Sequence, residues 1–198
     1  MDIRDSTKLF NGKKPTVSKI IRSFTSEVIE ILNTGSNMKE IGIRGDCVYG
    51  VFSTPQKSDV YEVMEKAVYV NTLIKMLNAI FDRKNMDQLK VGIGVATSQD
   101  LIVKAGREGS GINDKVWIGE AVTAASNLSF YGNKNKYTSE PILISPTTYV
   151  NIKEKYEELY GKNSFGWFTR VNFYDIPAYT CDLVNASMNN WIEQGMID

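Results

Sequence analysis

Apolar residues recur at helical spacing through residues 16–33, at Val17, Ile20, Ile21, Phe24, Val28, Ile31 and Leu32. The pattern predicts an amphipathic helix that stops at Asn33-Thr34-Gly35-Ser36. Residues 39–44 and 47–53 read as two strands joined by Gly45-Asp46, a hairpin turn signal. After a break near Pro55, residues 60–81 carry a wide apolar face, from Val60 and Met64 through Leu73, Leu77 and Phe81, suited to covering a sheet. Residues 91–96 form a short apolar strand with glycines, and residues 101–105 are expected to pair with it as a second hairpin. Residues 106–115 read as a polar, Gly-rich loop and residues 119–130 as a helix with small residues. A strand over 141–145 leads into a helix that starts at Pro146 and ends near Tyr160-Gly161. The tail from Phe165 reads as aromatic strand, followed by a strand over 179–184 and a short terminal helix. The order β-α-β-β-α-β predicts an α+β fold, a ferredoxin-like core with additional strands and helices, in one domain spanning residues 1–198.

Composition narrows the chemistry. The chain has 198 residues with 23 acidic and 23 basic side chains, so no global basic field exists to hold a nucleic acid. No apolar run approaches the ~20 residues that span a bilayer, so direct membrane insertion is not expected. The two cysteines, Cys47 and Cys181, form no framework and read as free thiols of a reducing cytoplasm. Histidine is absent, which excludes Ser-His-Asp and Cys-His catalysis and histidine-ligated zinc. What remains is carboxylates, hydroxyls, amides, Lys/Arg or a bound hard cation such as Mg²⁺, which prefers oxygen ligands.

Two acidic turn segments stand out: Asp2-Ile3-Arg4-Asp5-Ser6-Thr7 and Ile43-Arg44-Gly45-Asp46. Carboxylates on neighbouring strand ends, beside a Ser/Thr-rich helix start, make a seat for divalent cations and a triphosphate. These segments resemble the two metal-binding segments of the class III nucleotidyl cyclases, the adenylate and guanylate cyclase superfamily. Val91-Gly92-Ile93-Gly94-Val95 resembles that family's Gly-Ile-Gly strand, and Trp117-Ile118-Gly119-Glu120-Ala121-Val122-Thr123 with Ala124-Ala125-Ser126 resembles its Ile-Gly-Asp-Ala-Val-Asn helix start. Only Met1 precedes Asp2, where the family has an apolar strand, so either that strand is short or residues lie upstream.

The resemblance implies two Mg²⁺ or Mn²⁺ ions at Asp2, Ile3 and Asp46, a nucleoside triphosphate held by Ile3, Ser6 and Thr7, and a head-to-tail homodimer with sites at the interface. Thr123 and Asn127 then come from the second subunit, at positions where the family has Asn and a transition-state Arg. Gly42 and Val116 replace the family's purine-reading groups. A two-residue turn at Gly45-Asp46 pairs Arg44 with Cys47 and Gly42 with Tyr49, so these four residues share one sheet face and Tyr49 covers the gap at Gly42. A ring there narrows the base site and favours a pyrimidine. The Arg44 to Tyr49 spacing resembles the Pycsar cyclases, bacterial anti-phage enzymes that make cyclic CMP or cyclic UMP, and implies a separate cyclic-nucleotide-sensing effector. A purine cyclase with unusual base contacts and an inactive nucleotide-binding or dimerisation domain remain as alternatives. Lys104, Arg107 and Lys115 either reach phosphates or solvate a loop.

Overall fold

The computed structural model describes residues 1–106 and 113–197. Strand β1 (Asp2–Ile3) leads through the short helix α1 (Ser6–Phe10) into α2 (Lys14–Leu32). The hairpin β2 (Met38–Arg44) and β3 (Cys47–Phe52) follows, then the long helix α3 (Lys57–Arg83) and β4 (Val91–Val95). Beyond this core lie β5 (Leu101–Gly106), β6 (Asn113–Ile118), α4 (Ala121–Tyr131), β7 (Ile142–Ile144) and α5 (Pro146–Tyr160). A 3₁₀ segment (Lys162–Trp167), β8 (Thr169–Phe173), β9 (Ile176–Cys181) and α6 (Ala186–Glu193) complete the order.

The main sheet runs β1-β4-β7-β9-β8. The β2–β3 hairpin docks on the free edge of β1, where Met1 and Val48 exchange backbone hydrogen bonds of 3.0 and 3.2 Å. The sequence β2-β3-β1-β4 is the ferredoxin strand order, and the remaining strands extend it beyond β4. The apolar stripes of the sequence become the core. Ile20, Phe24, Val28 and Leu32 of α2 and Val60, Met64, Leu73, Leu77 and Phe81 of α3 are buried in one cluster with Val91, Ile93 and Val95 of β4. Fully burying each such side chain contributes about 1.5–3 kcal/mol. Helix starts are set locally: Gln56 and Asp59 form a capping box for α3, and Ser145 accepts from the Thr148 N–H at the start of α5, with Pro146 in the first turn.

The opposite face of β4 receives α4, and the two glycines of the Gly-Ile-Gly strand permit the approach. A Cβ at Gly94 would lie 2.6 Å from the Ser129 backbone nitrogen and would overlap the Ala125 carbonyl. A Cβ at Gly92 would lie 2.6 Å from the Arg4 guanidinium. These are close-approach glycines, where any side chain displaces backbone or a buried charge.

Four expectations fail. The strand at Leu101 does not pair with β4; it pairs antiparallel with β6, from Leu101↔Ile118 to Gly106↔Asn113. The expected polar loop over 106–115 is therefore strand at both ends. The misreading arises because β6 is polar at Asn113, Asp114 and Lys115, whereas the β5–β6 arm is held by its own ladder and not by a buried face. In the tail, Phe165 and Trp167 lie in the 3₁₀ segment and not in a strand, because aromatic content alone does not separate the two. The last strand ends at Cys181, short of Val184.

Gly94→Ala should lower stability by about 2–3 kcal/mol, or roughly 5–10 °C in Tm, because its clash is with helix backbone. Gly166→Ala, where nothing lies within 4 Å, is the matched control and should leave Tm unchanged. Equal Tm values by calorimetry would remove the close-approach account.

Candidate active site

The hairpin register follows from its turn. Gly45 adopts φ +61°, and the ladder pairs Arg44 with Cys47 and Gly42 with Tyr49. Alternate residues share a face, so Glu40, Gly42, Arg44, Cys47 and Tyr49 look the same way. The Tyr49 ring lies directly over Gly42, where a Cβ would overlap it. Tyr49 Oη donates to Glu40 Oε1 at 2.7 Å, and the Arg44 guanidinium carbon stands 6.0 Å from the ring centre. The Glu40 hydrogen bond, and then burial, push the Tyr49 phenol upward in pKa, while Arg44 opposes them.

The turn also sets Asp46 beside β1. Asp2, Asp46 and Cys47 each place one ligand atom within 4.8 Å of the others, and all three side chains are half-buried. The Asp2 carboxylate is held from two sides: Arg4 pairs with it at 2.8 Å, and the Cys47 thiol donates to it at 3.1 Å. Burial, then the bond to Asp2, push the Cys47 thiol up to about 11, so it is neutral at physiological pH. The donor set fits a hard cation, since it offers two carboxylates from adjacent strand ends and a protonated thiol that does not compete for such an ion. Ile3 is buried, and its side chain packs in the core.

Arg4 is buried beneath this cluster. Besides Asp2 it donates to the Ser129 carbonyl at 2.6 Å and the Phe130 carbonyl at 2.9 Å, at the C-terminal end of α4. Its backbone N–H is committed to the Lys90 carbonyl at 2.7 Å, so a phosphate cradle in the 3–7 segment cannot include it. Ser6 and Thr7 open α1, after Asp5 in the left-handed region at φ 52°.

A cleft of about 660 Å³, in the range of small-molecule sites, reaches the carboxylates through Cys47, which lines it and is bonded to Asp2; Asp2, Ile3, Ser6, Thr7 and Asp46 do not line it. Its lining includes Met1, Arg44, Cys47 and Tyr49, with Trp117 of β6 and Ala125 of α4. Thr123 and Asn127 are exposed on α4 and do not line it. Lys104 is exposed on β5, Lys115 Nζ donates to the Lys39 carbonyl at 3.0 Å, and Arg107 lies outside the described residues. Sequence reasoning gave no role to Glu40 or Trp117. Trp117 Nε1 donates to Glu40 Oε2 at 2.8 Å. The alternation that grouped residues 42 and 44 would have found Glu40 if carried one step back; nothing local announces the contact with Trp117, which comes from a distant strand.

No family model matches the chain. Two curated proteins align along it, both named uridylate cyclase. The one from Treponema porcinum is 52% identical over 199 residues, covering 100% of this chain and 67% of that protein. The one from Gulbenkiania mobilis is 31% identical over 211 residues, covering 98% of this chain and 79% of that protein. Among solved structures, the guanylyl cyclase Cya2 superposes with a TM-score of 0.68 at 17% identity, covering 93% of this chain and 90% of its own. A bacterial light-regulated adenylyl cyclase gives 0.63 at 18%, covering 98% and 93%. At these identities the two structures establish a shared α+β fold. The identity to the first relative along the whole of this chain goes further, and with it the chain belongs to the family of the uridylate cyclases, nucleotidyl cyclases of the class III, Pycsar type.

Proposed function

We propose that this chain cyclises UTP to 3′,5′-cyclic UMP and pyrophosphate as a head-to-tail homodimer. The observation that carries the reading is the Tyr49 ring over Gly42, on a cleft face that leads to the paired carboxylates of Asp2 and Asp46. A ring in that place leaves room for a single-ring base. The names of both curated relatives support uracil over cytosine.

In the reaction the ribose 3′ oxygen attacks the α-phosphorus in line with the departing pyrophosphate. Asp2, Asp46 and the Ile3 backbone carbonyl would hold two Mg²⁺ or Mn²⁺ ions, which would supply Lewis acidity at the 3′ hydroxyl and offset the charge of the triphosphate. Arg4 holds the Asp2 carboxylate in a fixed direction. Ser6 and Thr7, with the N–H groups around them, meet phosphate oxygens. Arg44 and Tyr49 meet the base or its ribose. Thr123 and Asn127 reach the site from the second subunit, a role supported by their exposure on α4. The β5–β6 arm supports the dimer too, since Leu101 is 62% and Ile118 52% exposed. No helix among the described residues is long and apolar enough to cross a membrane. A cytoplasmic enzyme whose product is read by a separate effector during phage infection accords with the Pycsar resemblance.

Incubation with each of the four NTPs and Mn²⁺, read by mass spectrometry, should give cyclic UMP as the main product, and EDTA should abolish it. Turnover of ATP equal to that of UTP defeats the pyrimidine assignment; dominance of CTP moves it to cytosine. Asp46→Ala should abolish cyclisation of every NTP while the folded fraction is kept. Tyr49→Ala should lower UTP turnover more than it lowers Tm, and a proportionate loss of folded protein would return Tyr49 to a packing role.

A further inference from the structure

Glu40 is an acidic side chain on the cleft face to which the proposed reaction assigns nothing. Its carboxylate is fully engaged, and by two aromatic donors from different strands. Oε1 accepts from Tyr49 Oη at 2.7 Å and Oε2 accepts from Trp117 Nε1 at 2.8 Å. All three residues line the cleft. Hydrogen bonds to an ionised acceptor are stronger than neutral ones, so one carboxylate ties together β2, β3 and β6 at this point.

The consequence is geometric. The Tyr49 ring lies over Gly42, which has no side chain to press against it. The anchor is at its far end, through the hydroxyl. With its proton given to Glu40, the Tyr49 oxygen offers only lone pairs to its other neighbours, which suits Arg44 or a donor on the substrate such as the uracil N3–H. Trp117 is held by the same carboxylate, although its strand belongs to an otherwise exposed arm.

We propose that Glu40 is a positioning residue for base selection: by holding Tyr49 and Trp117 together it keeps the base end of the cleft too narrow for a purine. This rests on the reading of the cleft as a pyrimidine cyclase site. Glu40 does not touch the reacting atoms; it acts through the two rings.

The test compares kcat/KM for UTP and ATP, with Tm, in the wild type, Glu40→Ala, Glu40→Gln, Tyr49→Phe and the Glu40→Ala/Tyr49→Phe double variant. Glu40→Ala should reduce the UTP-to-ATP selectivity roughly tenfold, the scale of one well-formed hydrogen bond to a charged group. Glu40→Gln should retain part of that selectivity, because its single carbonyl oxygen serves one ring while its amide faces the other. The double variant should lose no more than the worse single variant, since both changes break one linkage. Wild-type selectivity in Glu40→Ala overturns the assignment, as does a loss that follows Tm with the ratio unchanged, or full additivity in the double variant. A wild type that cyclises none of the NTPs sinks the functional reading and the selectivity role with it. A wild type selective for UTP, with Glu40→Ala equally selective, sinks the Glu40 assignment alone.

Discussion

The buried guanidinium of Arg4 is the contact on which the site depends. It faces the Asp2 carboxylate on one side and the last carbonyls of α4 on the other. Burial pulls its pKa down, and the neighbouring Asp2 pushes back. A charge in such a place stays ionised only with partners, and removing one partner of a buried pair typically costs about 3–5 kcal/mol. Four oxygens of the protein meet this group, while its Nε has no hydrogen-bond partner among the described residues. Helix C-termini carry partial negative charge, so the end of α4 is a favourable neighbour for the cation. Strand β1 and α4 are thereby linked through the same side chain that orients a carboxylate.

Room for that linkage is made by absence. Gly92 lies opposite Asp2 in the β1–β4 ladder and leaves space for the guanidinium, while Gly94 lets the α4 backbone settle on the strand. The helix that closes one wall of the cleft sits at backbone distance from the sheet because two side chains are missing. Gly42 uses the same device on the hairpin, where the space is filled by Tyr49. In all three cases the strand gives up packing area of its own, and another element takes the space.

Two kinds of group meet at the hairpin. Asp2 and Asp46 gather negative charge beside the cleft, tempered by Arg4, which suits cations and through them phosphates. Within the cleft, both oxygens of Glu40 accept from the side chains of Tyr49 and Trp117. The Arg44 guanidinium stands near the Tyr49 ring on the same hairpin face.

The sequence by itself determined the helices, because 3.6-residue periodicity is a local record of which side faces a core, and α2 and α3 follow it closely. It determined the β2–β3 register too, since a Gly-Asp two-residue turn leaves one pairing, and from this came the face shared by Arg44, Cys47 and Tyr49. The motifs around Asp2 and Asp46 were legible because their spacing is that of a known family. What only the tertiary structure decided is what distant segments do to each other. The β5–β6 pairing was hidden because two largely exposed strands carry no apolar alternation to mark them. The bond between Glu40 and Trp117 joins positions 77 residues apart. The use of Arg4 as a buried tie joins positions 125 residues apart at Ser129. Local sequence encodes preference for an element and a face; the partner on the other side of a hydrogen bond is set by how the whole chain closes.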